Sequence, residues 1–114
     1  MNKKLAIIGA GIAGLTLANR LSKLGNVDVE VFEKSRGIGG RMSTRTVGSY
    51  NFDHGTGSFS ASDATFKDFL AELSTTHICQ WQPKVIHFNQ ASYLPSEGYY
   101  VGTPKMNSLC KALL

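Results

Sequence analysis

The segment LAIIGAGIAGLTLANRLSKLGNVDVEVFE, residues 5–33, decides the fold of this chain. It begins with four apolar residues typical of a buried strand, and three glycines with the spacing Gly-x-Gly-x-x-Gly follow. A helical pattern comes next, and a second strand is predicted over Val27–Phe32, directly before the acidic Glu33. This order of strand, glycine turn, helix and strand predicts a parallel βαβ unit.

The three glycines have separate physical tasks. Gly9 permits the tight turn that leaves the strand, Gly11 lets a pyrophosphate approach the backbone, and Gly14 lets the helix lie against the strand. A helix that begins near Ile12, with Ala13 next, directs free N–H groups and its positive dipole end at phosphates. The motif therefore predicts a phosphate site at the start of the helix.

Glu33 follows the third glycine at close to the expected spacing of about 20 residues. We expect its carboxylate to accept hydrogen bonds from adenosine ribose hydroxyls, so the segment predicts a cofactor that contains ADP. Two alternatives remain open. Basic Lys3 and Lys4 before an apolar run imitate a secretory signal, and a glycine-rich helix start can also occur without a ligand.

Composition and charge describe an ordinary globular chain. The 114 residues are enough for one small domain, with 42% hydrophobic and 18% charged residues and a net charge of +4. Cys79 and Cys110 lack CxxC spacing, which argues against a zinc site and for a reducing compartment, with cytoplasm as the default. Four of the twelve basic residues cluster after the second strand, which favours a local phosphate-facing patch over a nucleic-acid surface; they are Lys34, Arg36, Arg41 and Arg45.

A second glycine motif, Gly39-Gly40-Arg41, comes soon after Glu33. The two glycines free the backbone for a tight loop, and Arg41 can offer a forked donor to phosphate oxygens. On its own the tripeptide is equally compatible with a flexible loop and a solvated arginine. Behind the first motif it favours a second contact with the same phosphates.

The combination of GAGIAGL (9–15), Glu33 and GGRMST (39–44) resembles the two-dinucleotide-binding-domain flavoproteins of the amine oxidase type. The segments FDHG (52–55) and YVGTPKMNSL (100–109) are similar to the renalase-like branch. The resemblance implies an α/β fold: an incomplete Rossmann-like FAD-binding domain with the start of an α+β substrate domain. It also implies FAD as the cofactor, and relatives roughly two to three times longer than this chain.

The resemblance further divides the chain into residues 1–59 of the FAD-binding domain, 60–101 of the substrate domain, and a helix at 102–114. Gly57 and Ser58 stand where the family usually has a polar amide and an aromatic residue near the flavin. Motifs and resemblance together predict these cofactor-binding residues: Gly9, Gly11, Ile12, Ala13, Gly14, Glu33, Lys34, Gly40, Arg41, Gly57 and Ser58.

The downstream pattern predicts a helix over 64–74 with Asp63 as its N-cap. It predicts a last helix with Thr103 as N-cap and Pro104 in its first turn, whose apolar face we expect to be uncovered. Three short strands are predicted between these helices, at Ile78–Trp81, Val85–Phe88 and Tyr99–Val101.

The leading functional hypothesis is an FAD-dependent oxidoreductase. By resemblance, hydride passes from an amine or a reduced nicotinamide to the flavin, which oxygen reoxidises. The sequence assigns no catalytic side chain and no metal site, although His54 merits a test because it precedes the flavin-side glycines. Expected partners are a small-molecule substrate, self-association or a missing C-terminal part, but neither nucleic acid nor a membrane. The first alternative is a truncated, inactive nucleotide-binding or interaction module. The second is an NAD-dependent dehydrogenase, which would not account for the second glycine motif, Gly39-Gly40-Arg41.

Overall fold

The computed structural model describes residues 1–73, 76–84 and 98–114. Most of the predicted elements are present, and the predicted strand Val85–Phe88 lies outside the described residues. In chain order the elements are β1 (Lys3–Ile8), α1 (Ile12–Ser22), β2 (Val27–Phe32), a 3₁₀ helix (Gly40–Met42), β3 (Thr44–Val47), β4 (Tyr50–Asp53), β5 (Phe59–Ser60), α2 (Ala64–Glu72), β6 (Ile78–Trp81), β7 (Tyr99–Gly102) and α3 (Ser108–Lys111).

The βαβ unit predicted from the first 33 residues is confirmed. Strands β1 and β2 pair in parallel, with Lys3 opposite Val27 and Ile8 opposite Phe32. Helix α1 connects them and packs on one face of the pair, where its Leu15 is buried. The carboxyl ends of both strands therefore meet beside the start of α1, where open α/β sheets bind their ligands.

Helix α3 packs against this unit, so the expectation that its apolar face is uncovered is wrong. Cys110 and Leu113 join Leu15 in one buried cluster, and Leu109 belongs to a second cluster that includes Leu70 of α2. Burial of such side chains stabilises the fold by about 1.5–3 kcal/mol each. Residues close to the end of the given sequence thus pack into the core beside the glycine motif.

The predicted start of this helix at Thr103 and Pro104 is also wrong, because α3 begins only at Ser108. The hydroxyl of Thr103 donates to the carbonyl of Thr76 instead of capping a helix. Residues 103–107 form bends and turns, and the amide of Met106 donates to a side chain of β4. Backbone groups that would begin an earlier helix are therefore held by other elements.

The middle of the chain forms a hairpin and a small sheet. Strands β3 and β4 pair antiparallel, and β7 lies between β5 and β6 among the described residues. Asp63 caps α2 as predicted, accepting from the amide of Phe66 at 2.9 Å, but α2 ends at Glu72 rather than residue 74. None of the helices in the described ranges is long and apolar enough to cross a membrane.

Candidate dinucleotide site

The first glycine loop has the tight geometry that its sequence predicts. Gly9 has φ +100°, and its amide donates to the carbonyl of Phe32 at 2.7 Å, which ties the loop to the end of β2. A side chain on Gly14 would collide with the carbonyl oxygen of Gly9. Glycine is therefore required at both positions, first for the turn and then for the contact between helix and loop.

The start of α1 leaves backbone donors uncommitted. Its N-cap is Gly11, and no side chain of the described residues caps it. The first amide to pair along the helix is that of Leu15, with the carbonyl of Gly11 at 3.0 Å. The preceding amides belong to Ile12, Ala13 and Gly14, and such groups at a helix start attract anions. A Cβ on Gly11 would meet open space, so the loop is accessible to a ligand.

Glu33 lies at the end of β2 and contacts the same loop. Its two carboxylate oxygens accept from the amides of Ala10, at 2.8 Å, and Ser35, at 3.0 Å. The backbone hydrogen bonds from Ser35 and Ala10 lower the pKa of Glu33 below its ordinary value. A carboxylate oxygen has room for a further donor, so an ionised Glu33 can still accept from a ribose hydroxyl.

The second glycine loop lies directly against the first. The amide of Gly39 donates to the carbonyl of Ala10 at 2.9 Å, and Gly11 and Gly39 form a parallel bridge. A Cβ on Gly40 would lie 3.4 Å from the Cα of Gly11. The two motifs, separate in sequence, therefore form one continuous backbone surface.

Arg41 is exposed at the rim of this surface. No carboxylate of residues 1–73, 76–84 and 98–114 forms an ion pair with it. Its carbonyl accepts from the amide of Thr56 at 2.8 Å, and Gly55 packs so closely on Arg41 that a side chain at 55 would collide with that carbonyl. The backbone of Arg41 is thus fixed while its guanidinium is free to bind an anion.

An apolar cavity of about 290 Å³ lies beside the second loop. Arg41 and Thr56 contribute its polar edge, and a neighbouring cavity of about 530 Å³ continues over α1 and α2. Phe66 and Phe69 line both cavities and also pack against the buried clusters. The remaining lining of the smaller cavity is Ile12, Met42, Phe59, Ser60 and Leu109.

The other predicted residues are less tightly joined to the loops. Lys34 and Gly57 are exposed and Ser58 is half-buried; the last two follow Thr56 on the way to β5. His54 lies next to the second loop, with its Nε2 at 3.3 Å from the hydroxyl of Ser43. The described residues contain no group of three His, Cys, Asp or Glu side chains that could hold a metal ion.

Three polar residues that support the second loop were not predicted as site residues from the sequence. They are Thr44, Asp53 and Asn107. The carboxylate of Asp53 accepts from the Thr44 hydroxyl and from the Met106 amide, the latter at 3.1 Å. The amide of Asn107 donates to the Thr44 hydroxyl at 3.3 Å. These bonds join the β3–β4 hairpin to the segment before α3. The hairpin itself has a recognisable sequence signal, a Gly-Ser turn at Gly48 between two strand-like runs. The hydrogen bonds that join it to the segment before α3 have no such signal.

The profile of the NAD(P)-binding Rossmann-like domain matches residues 7–73, more than half of the chain. The chain belongs to this family. The matched residues include both glycine loops, Glu33 and helix α2. The predicted Rossmann-like α/β fold is thereby confirmed.

This NAD(P)-binding Rossmann-like domain is also similar to parts of two bacterial desaturases. It is 49% identical over 57 residues to 1-hydroxycarotenoid 3,4-desaturase of Flavobacterium sp. (strain P99-3), a match that covers 50% of this chain and 12% of the desaturase. It is 42% identical over 52 residues to 4,4'-diapophytoene desaturase (4,4'-diaponeurosporene-forming) of Staphylococcus aureus (strain Newman), covering 46% and 10%. The chain thus spans about a tenth of the length of these curated relatives.

The prediction of FAD as the cofactor is confirmed at the level of the family. The family match supports the binding of a dinucleotide cofactor, and the oxidoreductase activity stays a prediction. The renalase-like and amine oxidase-like assignments stay predictions.

Proposed function

We propose that this chain holds the ADP half of FAD in an FAD-dependent oxidoreductase. The observation that supports this most directly is the double use of Ala10, whose amide binds Glu33 and whose carbonyl binds Gly39. One backbone unit thereby brings the acidic residue, the start of α1 and the second loop to the same point. These are the three kinds of group that an adenosine diphosphate requires.

The residues fit the chemistry of that ligand. The amides at the start of α1 and the Arg41 guanidinium offer donors to a pyrophosphate, and Gly11 leaves space for its approach. The ionised carboxylate of Glu33 offers an acceptor to ribose hydroxyls and repels a phosphate at that position. The bound flavin supplies hydride acceptance, and the chain supplies binding and orientation.

For the reaction, we propose hydride transfer from an amine or a reduced nicotinamide-type substrate, with reoxidation by oxygen. The renalase-like segments at 52–55 and 100–109 support this assignment. A second candidate is dehydrogenation of an apolar substrate, as the names of the matched desaturases suggest. The mainly apolar lining of the 290 Å³ cavity beside Arg41 favours the second candidate.

The experiment titrates the purified chain separately with ADP, AMP, FAD and NAD, and calorimetry measures the binding of each ligand. We expect ADP and FAD to bind, and AMP to bind at least about tenfold more weakly because it lacks the second phosphate. Glu33→Ala should weaken ADP binding, whereas Glu30→Ala, which changes an exposed acid on the same strand, should not. Absence of ADP binding would overturn the proposal, and tighter binding of NAD than of FAD would favour an NAD-dependent dehydrogenase.

A second measurement separates an enzyme from an inactive nucleotide-binding module. The FAD-loaded chain is mixed anaerobically with a primary amine, with a reduced nicotinamide or with an apolar polyene, and the flavin absorbance is followed. Bleaching by one of them identifies the class of hydride donor. FAD binding without bleaching by any donor supports the module.

A further inference from the structure

We infer that Asn107 is a positioning residue for the second glycine loop, an inference that rests on the proposed binding of ADP. Its side chain is buried, with 8% of its surface exposed. Among the described residues, its Oδ1 is the one buried side-chain oxygen or nitrogen without a hydrogen-bond partner. Leaving a buried carbonyl unpaired costs folding free energy, so a polar residue retained there needs a reason other than packing.

The position of Asn107 connects that oxygen to the cofactor loop. A Cβ added to Gly39 would lie 3.3 Å from the Asn107 Cβ, so the asparagine packs directly against the loop. Its backbone amide donates to the hydroxyl of Thr44, which lies two residues beyond the 3₁₀ helix. Its backbone carbonyl accepts from the amide of Lys111 in α3. The backbone of Asn107 is therefore fixed on both sides while its side-chain oxygen is unpaired.

The loop itself depends on such neighbours. Gly39 and Gly40 have φ of +120° and +55°. Glycine adopts such positive angles readily because it lacks a Cβ, and its backbone has many other conformations available. The amide of Gly39 donates to Ala10, and Asn107, directly before α3, also packs on the loop. We assign to Oδ1 the task of accepting an amide hydrogen of this loop when the loop binds the phosphates, so that α3 stabilises the ligand-bound conformation.

This assignment predicts opposite effects on folding and binding. Asn107→Leu removes the unpaired oxygen at similar volume, so the free chain should unfold at an equal or higher urea concentration. ADP should bind to the variant about five- to tenfold more weakly, because the bound loop loses its acceptor. Ser108→Ala is the matched control: Ser108 is also buried, and its hydroxyl contacts the Lys105 amide and not the loop. This control should bind ADP as the unchanged chain does.

A measurement on the unchanged chain covers the case in which Asn107→Leu does not fold. In ¹H–¹⁵N spectra, addition of ADP should shift the side-chain NH₂ signals of Asn107 together with the Gly39 and Gly40 amides. The NH₂ signals of Asn51, whose oxygen accepts from Thr46 at 2.7 Å, should stay in place.

The outcomes separate this inference from the proposed function. An unchanged chain that does not bind ADP would overturn both. An unchanged chain that binds ADP, with an equal dissociation constant for Asn107→Leu, would overturn the positioning role alone. The same holds if ADP shifts the Gly39 and Gly40 amides but leaves the Asn107 side chain unaffected.

Discussion

The carbonyl oxygen of Ala10 accepts the amide hydrogen of Gly39 at a distance of 2.9 Å. This bond joins two motifs that the sequence separates by the whole of α1 and β2, and it makes them one surface. Substitutions in either motif should therefore affect the geometry of both.

Gly14→Ala should destabilise the fold by about 1–3 kcal/mol, because its new methyl group collides with the Gly9 carbonyl. Gly11→Ala meets open space and should change the free energy of unfolding by less than about 0.5 kcal/mol. Since Gly11 borders the proposed phosphate site, the second variant should nevertheless lose ADP binding. Urea unfolding and calorimetry check the two effects, and full ADP affinity in Gly11→Ala would contradict the assigned approach of the ligand.

Gly55→Ala should displace the second loop, because the new methyl group would overlap the Arg41 carbonyl. We expect a loss of about 1–3 kcal/mol in unfolding free energy and weaker ADP binding. The matched change Gly57→Ala meets open space and should leave both unaltered. If Gly57 lies near the flavin as the resemblance implies, Gly57→Ala should weaken the binding of FAD but not of ADP. Equal losses for both ligands would argue against a flavin-side position.

The contribution of Glu33 to stability should depend on pH. Backbone hydrogen bonds from Ser35 and Ala10 lower its pKa in the folded chain below the ordinary value of 4.5. The stabilisation is then fully present above the pKa of the unfolded chain, and it is lost as the pH falls through the lower folded pKa. The unfolding midpoints of the unchanged chain and Glu33→Gln should differ at pH 7 and converge in acid. A difference that grows in acid would contradict this sign.

Leu15→Ala should destabilise the chain by about 2–5 kcal/mol, because Leu15 is 1% exposed and lies in the cluster shared by α1 and α3. Leu17→Ala on the same helix removes a side chain that is 49% exposed, and we expect a much smaller loss. Chemical denaturation measures both. Similar losses for the two variants would show that α1 does not bury the face described above.

The two cysteines should react at very different rates with a thiol reagent. Cys79 is exposed, whereas Cys110 is fully buried and its pKa is raised by that burial. One thiol should therefore react at once under native conditions and the second only as the chain unfolds. Cys79→Ser isolates the slow reaction, and rapid labelling of Cys110 in that variant would show that α3 leaves the core.

Local interactions explain which features the sequence could predict. The βαβ unit depends on residue periodicity and on glycines close in sequence, and the Asp63 cap reaches only to Phe66. The start of α3 was misjudged because distant residues hold its approach: Thr103 donates to Thr76, and Met106 donates to Asp53.

The same difference between local and distant interactions applies to the candidate site. Each glycine motif could be recognised separately, but their contact through Ala10 and Gly39 could not, because no local pattern encodes it. The unpaired Asn107 oxygen is equally invisible in sequence, since its significance comes only from burial.

The packing of α3 on α1 determines where this fold can accept change. The side-chain amide of Asn19 in α1 donates to the carbonyl of Leu113 at 3.2 Å, so two distant parts of the chain close a long connection. The entropic cost of such closure rises by only about 0.6 kcal/mol for each doubling of the connection. Insertions between β6 and β7 should therefore cost little stability, as long as Met106 and Asn107 keep the contacts that hold the second loop.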